Sequence, residues 1–164
     1  MRYVIREKFF RLAEDSQITD ESGEPVYEVE GKVLSLHNTL VMRDRDGQEV
    51  ATVKRELIAL TPTYRIERPG SGTAQLRKRF INLFVDHYTI DIPGPDDLEL
   101  EGDLFDHEYQ IKRAGAVVAT ISKRWIALTD TYGVETVPGE DDVLLLASVL
   151  ALDLAEDREH SPTS

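Results

Sequence analysis

The chain has 164 residues, with 31 Asp and Glu against 19 Lys and Arg, a net charge of −12 and a pI of about 4.7. That length suits one domain with a real core, and that charge argues against nucleic acid as a partner. Cysteine is absent, which excludes a disulfide framework, a thiolate zinc site and a cysteine nucleophile.

The opening stretch, MRYVIREKFFRL, is charged throughout and lacks the apolar centre of a signal peptide. A cytoplasmic protein is therefore expected. Arg outnumbers Lys 13 to 6. Many carboxylates with few lysines predict a halophilic protein whose hydrated acidic surface keeps it soluble at high salt.

Glycine-bearing turns then recur along the chain: DESGEP (20–25), RDRDGQE (43–49), RPGSG (68–72), PGPDD (93–97), RAGA (113–116) and PGEDD (138–142). Gly23, Gly47, Gly70, Gly94, Gly115 and Gly139 are spaced by 24, 23, 24, 21 and 24 residues. A near-constant period of this size marks an internal repeat. The segments between the turns agree. VATVKRELIALTPTY (50–64) and VATISKRWIALTDTY (118–132) share nine of fifteen residues without a gap. AQLRKRFINLF (74–84) is a looser third copy, and YEVEGKVLSL (27–36) pairs with LELEGDLF (98–105). Within the units the residues alternate as strands do: Tyr64-x-Ile66, Tyr88-x-Ile90, Tyr109-x-Ile111 and Tyr132-x-Val134. Asp-Gly and Pro-Gly at the tips suit hairpins. Six two-stranded units predict about twelve short antiparallel strands. The sixth hairpin is incomplete, because a different element follows its turn.

That element is DDVLLLASVLALDLA (141–155), in which only Ser148 and Asp153 are polar after Val143. An amphipathic surface helix would show a polar stripe. Leu and Ala favour helix, and Glu140, Asp141 and Asp142 sit where their charges meet the positive end of the helix dipole. At about 1.5 Å per residue the segment is roughly 22 Å long, short of the ~20 apolar residues of a membrane span. No transmembrane segment is expected. A barrel of about eight strands is filled by its own side chains, whereas a wider one needs an insert. The sequence thus predicts a mainly β fold: a closed antiparallel barrel of about twelve strands over residues 1–155 around one buried helix at 141–155. Residues 156–164 are expected to form a polar, disordered tail, and the even acidic surface predicts a monomer.

Candidate sites are few. A basic run recurs on the second strand of the units: Lys54 and Arg55, then Arg77, Lys78 and Arg79, then Lys123 and Arg124. At similar heights on a barrel these seven residues could hold phosphate or another anion, with Arg giving bidentate contacts. The competing reading makes them outward strand residues paired with neighbouring carboxylates. His37, Asp86, His87, Asp106, His107 and Asp130 fall in the loops opposite the hairpin tips. His with carboxylate can ligate a metal, but no HxH or HxxxH spacing occurs, and Asp-His pairs also close turns through backbone hydrogen bonds. No metal or other cofactor is therefore expected. Asp153 either lines a pocket at one mouth or marks where the helix leaves the barrel. Trp125 stands where Leu57 and Phe80 stand in sister units and reads as core. With no P-loop, GxSxG elbow or HExxH present, a non-enzymatic binding module is expected.

MRYVIREKFFRL, DESGEPVYEVEGKVLSL, DRDGQEVATVKRELIALTPTY, DLELEGDLFDHEYQI, ATISKRWIALTDTYGVE and PGEDDVLLLASVLALD together resemble the LURP-one-related family from Met1 to about Asp153. The resemblance implies the tubby C-terminal fold, a twelve-stranded barrel around a C-terminal helix, and a distant kinship with phospholipid scramblases. It also implies, by analogy with tubby proteins, recognition of a phospholipid head group. Scrambling itself would call for cysteine-rich acylation sites and a membrane-anchoring end; with no Cys and a polar tail in this sequence, scrambling is not expected. The alternative is a protein-interaction or scaffold barrel without a small ligand.

Overall fold

The computed structural model describes residues 1–6, 16–32, 39–79, 85–94, 96–103, 108–122 and 131–159. Twelve strands and one helix run through them. They are β1 (Arg2–Arg6), β2 (Ser16–Asp20), β3 (Pro25–Lys32), β4 (Thr39–Arg43), β5 (Glu49–Glu56), β6 (Thr63–Arg68), β7 (Gly72–Arg79), β8 (Asp86–Asp91), β9 (Leu98–Asp103), β10 (Glu108–Arg113), β11 (Ala116–Ser122), β12 (Thr131–Thr136) and α1 (Asp142–Glu159). Every strand pairs antiparallel with its neighbours in the chain, and β1 pairs with β12, closing a barrel. The incomplete sixth hairpin is completed by the start of the chain: β12 runs against β1 from Arg2↔Glu135 to Arg6↔Thr131.

The strands follow from alternation. On β6, Tyr64 and Ile66 are buried while Arg65 and Glu67 are only partly covered. β8, β10 and β12 repeat this with Tyr88 and Ile90, Tyr109 and Ile111, and Tyr132 and Val134. One inward tyrosine thus stands on each even strand from β6 to β12. The turns repeat as well. Asp20 Oδ1 accepts from the backbone N–H groups of Ser22 and Glu24, and Asp44 Oδ1 accepts from those of Asp46 and Gln48. The β10–β11 turn is only two residues, Ala114 and Gly115, both at positive φ (48° and 82°). This is the twist that best matches a two-residue hairpin, and it asks an alanine to take a conformation that glycine takes freely.

The helix enters at the hairpin-tip end. Asp141 caps it: its Oδ1 accepts from Leu144 N at 3.0 Å and its carbonyl from Leu145 N at 3.0 Å. Arg68 binds Asp141, Arg113 Nη2 lies 3.0 Å from Glu140, and the Tyr3 hydroxyl donates to Asp142, so β1, β6 and β10 all hold this terminus. Leu144 to Leu152 are buried without a break, and Ser148, the polar residue among them, donates to the Leu144 carbonyl at 2.8 Å. The helix lies nearest β5 and β6. It runs to Glu159, so residues 156–159 of the expected tail are helical. The physical reason is at the far end: Leu154 and Ala155 are still buried, and Glu156 accepts a hydrogen bond from the Tyr109 hydroxyl. Residues 160–164 lie outside the described residues.

Both phenols that tie the helix down are held neutral. Burial first, then the hydrogen bond and charge of Asp142, raise the Tyr3 pKa; burial first, then Glu156, raises that of Tyr109. Above about pH 10 the unfolded chain releases these two protons while the fold retains them, so each phenol costs about 1.4 kcal/mol of stability per pH unit. Below that pH their contribution is fully present. Urea midpoints measured from about pH 9 to 11.5 should fall steeply, and the slope should flatten by about one proton in Tyr3→Phe and again in Tyr109→Phe.

Candidate functional site

The hairpin tips and the helix N-terminus close one end of the barrel. The other end, where the helix finishes, collects the polar residues, and the basic run meets it there. Strand alternation divides that run. On β5 the buried Ala51 and Val53 face inward, so Arg55 continues the inward row while Lys54 faces out. On β7 the buried Ala74 and Leu76 place Lys78 inward and Arg77 and Arg79 outward. The five candidates among the described residues therefore do not share one face. Lys123 and Arg124 lie outside the described residues; by the internal repeat, Lys123 stands at the position of Arg55.

The outward cations have neighbours of opposite sign. Lys54 Nζ is 3.0 Å from Glu67, and Arg77 Nε is 3.5 Å from Asp91. Arg79 is exposed, opposite His87 in register. The inward pair differ from each other. Lys78 is closed off: it binds Asp86 at 3.2 Å, with both side chains only 11% exposed, and its Nζ sits 5.8 Å from the centre of the Tyr88 ring. Arg55 stands opposite Tyr64 in register, forms no ion pair among the described residues, and has a buried Nε without a hydrogen-bond partner.

Arg55 forms part of the wall of a groove of about 680 Å³ at this mouth, together with Thr39, Lys54, Glu56, Leu57, Ile58, Ala59 and Arg65. Two carboxylates, Glu56 and Glu67, serve Lys54 and Arg65 here: Arg65 lies 3.5 Å from Glu56 and 3.4 Å from Glu67. Lys54 and Arg65 are thus neutralised, and Arg55 is the groove cation without a carboxylate partner among the described residues. The groove's other wall is apolar and turned to solvent: Leu57 is 48% exposed and Ile58 98%, and Leu60 follows at 105%. The repeat aligns Leu57 with a position that reads as core in the sequence, so this wall is not visible from the repeat.

A second cleft lies between the helix and β10–β12, lined by Tyr109, Ile121, Tyr132, Val149, Leu152, Asp153 and Glu156. Its volume is about 20 Å³, room for a single water. Asp153 thus faces the barrel wall, six residues before the helix ends, instead of marking its exit. Of the metal candidates, Asp86 is engaged by Lys78, and His87 Nδ1 is 3.6 Å from Glu101. Among the described residues no three His, Asp or Glu side chains are grouped to hold a metal ion. His37, Asp106, His107, Asp130 and Trp125 lie outside the described residues. The sister position of Trp125, Leu57, is not a core position.

Comparison with known proteins agrees with this architecture. An X-ray structure of a protein from Arabidopsis thaliana superposes with a TM-score of 0.65 over 95% of this chain and 91% of that one, at 16% identity, a likeness of fold. The uncharacterized protein YxjI of Bacillus subtilis (strain 168) is 27% identical over 75 residues, 46% of each chain. The match thus spans about half the length of that curated relative. The sequence profile of the LURP-one-related family matches residues 1–153, nearly the whole barrel and its helix, and the chain belongs to that family.

Proposed function

We propose that this barrel is a non-catalytic binding module that takes an anionic, phosphate-bearing head group at the Arg55 groove. The observation that carries this reading is Arg55 itself: a partly buried guanidinium with no carboxylate partner among the described residues, beside an apolar wall. A guanidinium left unpaired in a sheltered position gains more from a phosphate than a solvated one would, because its fork matches the anion's oxygens. Leu57 and Ile58 supply the apolar surface that an amphiphilic anion also needs. The non-catalytic part of the reading rests on the sequence, which holds no cysteine nucleophile, nucleophile elbow or phosphate loop.

Titration with a water-soluble short-chain anionic phospholipid, and separately with inorganic phosphate, tests it by calorimetry or amide chemical shifts. Both ligands should bind, the lipid more tightly, and Arg55→Gln should weaken each by about tenfold or more, the value of a charge-assisted hydrogen bond. No binding, or binding that ignores Arg55→Gln, would overturn it. A scaffold barrel for a protein partner is the second reading. It is favoured by the neutralisation of Lys54 and Arg77 by Glu67 and Asp91, which leaves little free positive charge on the outer wall.

A further inference from the structure

We infer that the loop 57–60 inserts into the surface of an anionic phospholipid bilayer, so that the head group reaching Arg55 is still part of a membrane; this rests on the head-group reading above. Ile58 and Leu60 are 98% and 105% exposed, and Leu57 is half exposed. Three large aliphatic side chains within four residues, all turned to water, form a costly patch that no described residue covers. The loop is braced at its base, where the Thr63 hydroxyl donates to the Thr61 carbonyl at 3.0 Å. Its order along the chain matches the order of a membrane interface. Arg55 sits in the groove at the strand end, and the aliphatic residues project beyond it. A cation at head-group depth with apolar side chains past it combines the two contributions that hold a protein on a charged bilayer.

Charge on the rest of the barrel sets the orientation. The opposite end carries exposed Glu21, Asp46, Asp96 and Asp97 at its hairpin tips, which an anionic surface repels. At the groove end Arg55, without a carboxylate partner among the described residues, stands beside Leu57 and Ile58, and this is the place such a surface accepts. No helix among the described residues is long and apolar enough to cross a membrane, so the contact inferred is peripheral, through the loop. At molar salt the Debye length shrinks to about 3 Å, which screens repulsion from the acidic remainder and leaves apolar insertion intact.

The chain has no cysteine, so Ile58→Cys and, at the far end, Asp46→Cys each accept one environment-sensitive fluorophore. With vesicles of mixed neutral and anionic phospholipid, the label at 58 should brighten and shift to the blue, while the label at 46 stays in water. Ile58→Asp combined with Leu60→Asp should weaken vesicle binding by about a hundredfold, tenfold for each aliphatic side chain withdrawn from the bilayer. Leu60→Asp alone, at a side chain that does not line the groove, should still weaken vesicle binding by about tenfold and leave binding of the short-chain soluble lipid within about twofold. A label at 58 that stays in water while the soluble lipid still binds would overturn the insertion and spare the head-group reading. Equal shifts at 58 and 46 would also overturn it, as adsorption without orientation. Failure of the soluble lipid to bind, with the label at 58 still entering vesicles, would overturn the role of Arg55 alone.

Discussion

Leu150→Asp should abolish cooperative folding. Leu150 is 0% exposed in the middle of α1, inside the closed barrel. Losing a buried leucine costs about 2–5 kcal/mol, and an unpaired carboxylate in its place costs several more. A domain of this kind has about 5–15 kcal/mol in total. Leu150→Met, which conserves volume, should cost less than about 1.5 kcal/mol. Removing residues 141–164 goes further. Twelve strands enclose more space than their inward side chains fill, and the deletion takes away Leu144 to Leu152 together with the contacts of Arg68 to Asp141 and Tyr3 to Asp142. The truncated chain should aggregate, or bind a hydrophobic dye and lose its near-ultraviolet circular dichroism while retaining strand signal. A truncated barrel that unfolds cooperatively in urea would show that the wall stands without its insert.

The legible part of this molecule is the part governed by period. Glycines at intervals of 21 to 24 residues mark every tip between β2 and α1, and Tyr-x-Ile spacing places the inward residues. The helix is legible because Leu and Ala continue past the point where an amphipathic helix would turn polar. Its last turn was not, since AEDRE looks solvated until Tyr109, forty-seven residues earlier, is seen to reach Glu156. The closing partner of β12 was not legible either. β1 has no hairpin turn joining it to β12, and that pairing is set by closure of the barrel.

The binding candidates are less legible, because charges adjacent in sequence read as one run. In a strand, neighbours in sequence point to opposite faces. Lys54 and Arg55, or Arg77 and Lys78, are therefore separated by the wall itself, and the inward position of Arg55 follows from the buried Val53 two residues before it. What no period announces is where a strand stops. Glu56 ends β5, and from Leu57 the same aliphatic residues that would be core one turn earlier are turned to solvent.

Gly102→Ala should cost about 2–5 kcal/mol, whereas Gly31→Ala, at the matching place in the repeat, should be neutral or slightly stabilising. Both glycines close a strand motif of the same kind, EVEG on β3 and ELEG on β9. Only one has something lying across it. A Cβ on Gly102 would sit 2.1 Å from Tyr109 Cδ1 and 2.6 Å from both Tyr109 Cγ and the Glu108 carbonyl oxygen. Tyr109 is its direct partner across the β9–β10 pair, and its ring covers the glycine backbone. The ring cannot simply turn away, because its hydroxyl is committed to Glu156 at the end of α1. The carbonyl cannot move either without disturbing the ladder between β9, β10 and β11. A Cβ on Gly31 would meet only Leu40 Cδ2, at 3.8 Å, an ordinary contact. Urea unfolding of the two variants separates these outcomes. Tyr109→Ala should relieve part of the Gly102→Ala penalty, giving a coupling of about 1 kcal/mol or more in a double-mutant cycle. The carbonyl clash would remain. If Gly102→Ala unfolded at the same urea concentration as the native chain, the ring would not be fixed over β9, and the tether from barrel wall to helix end would not be rigid.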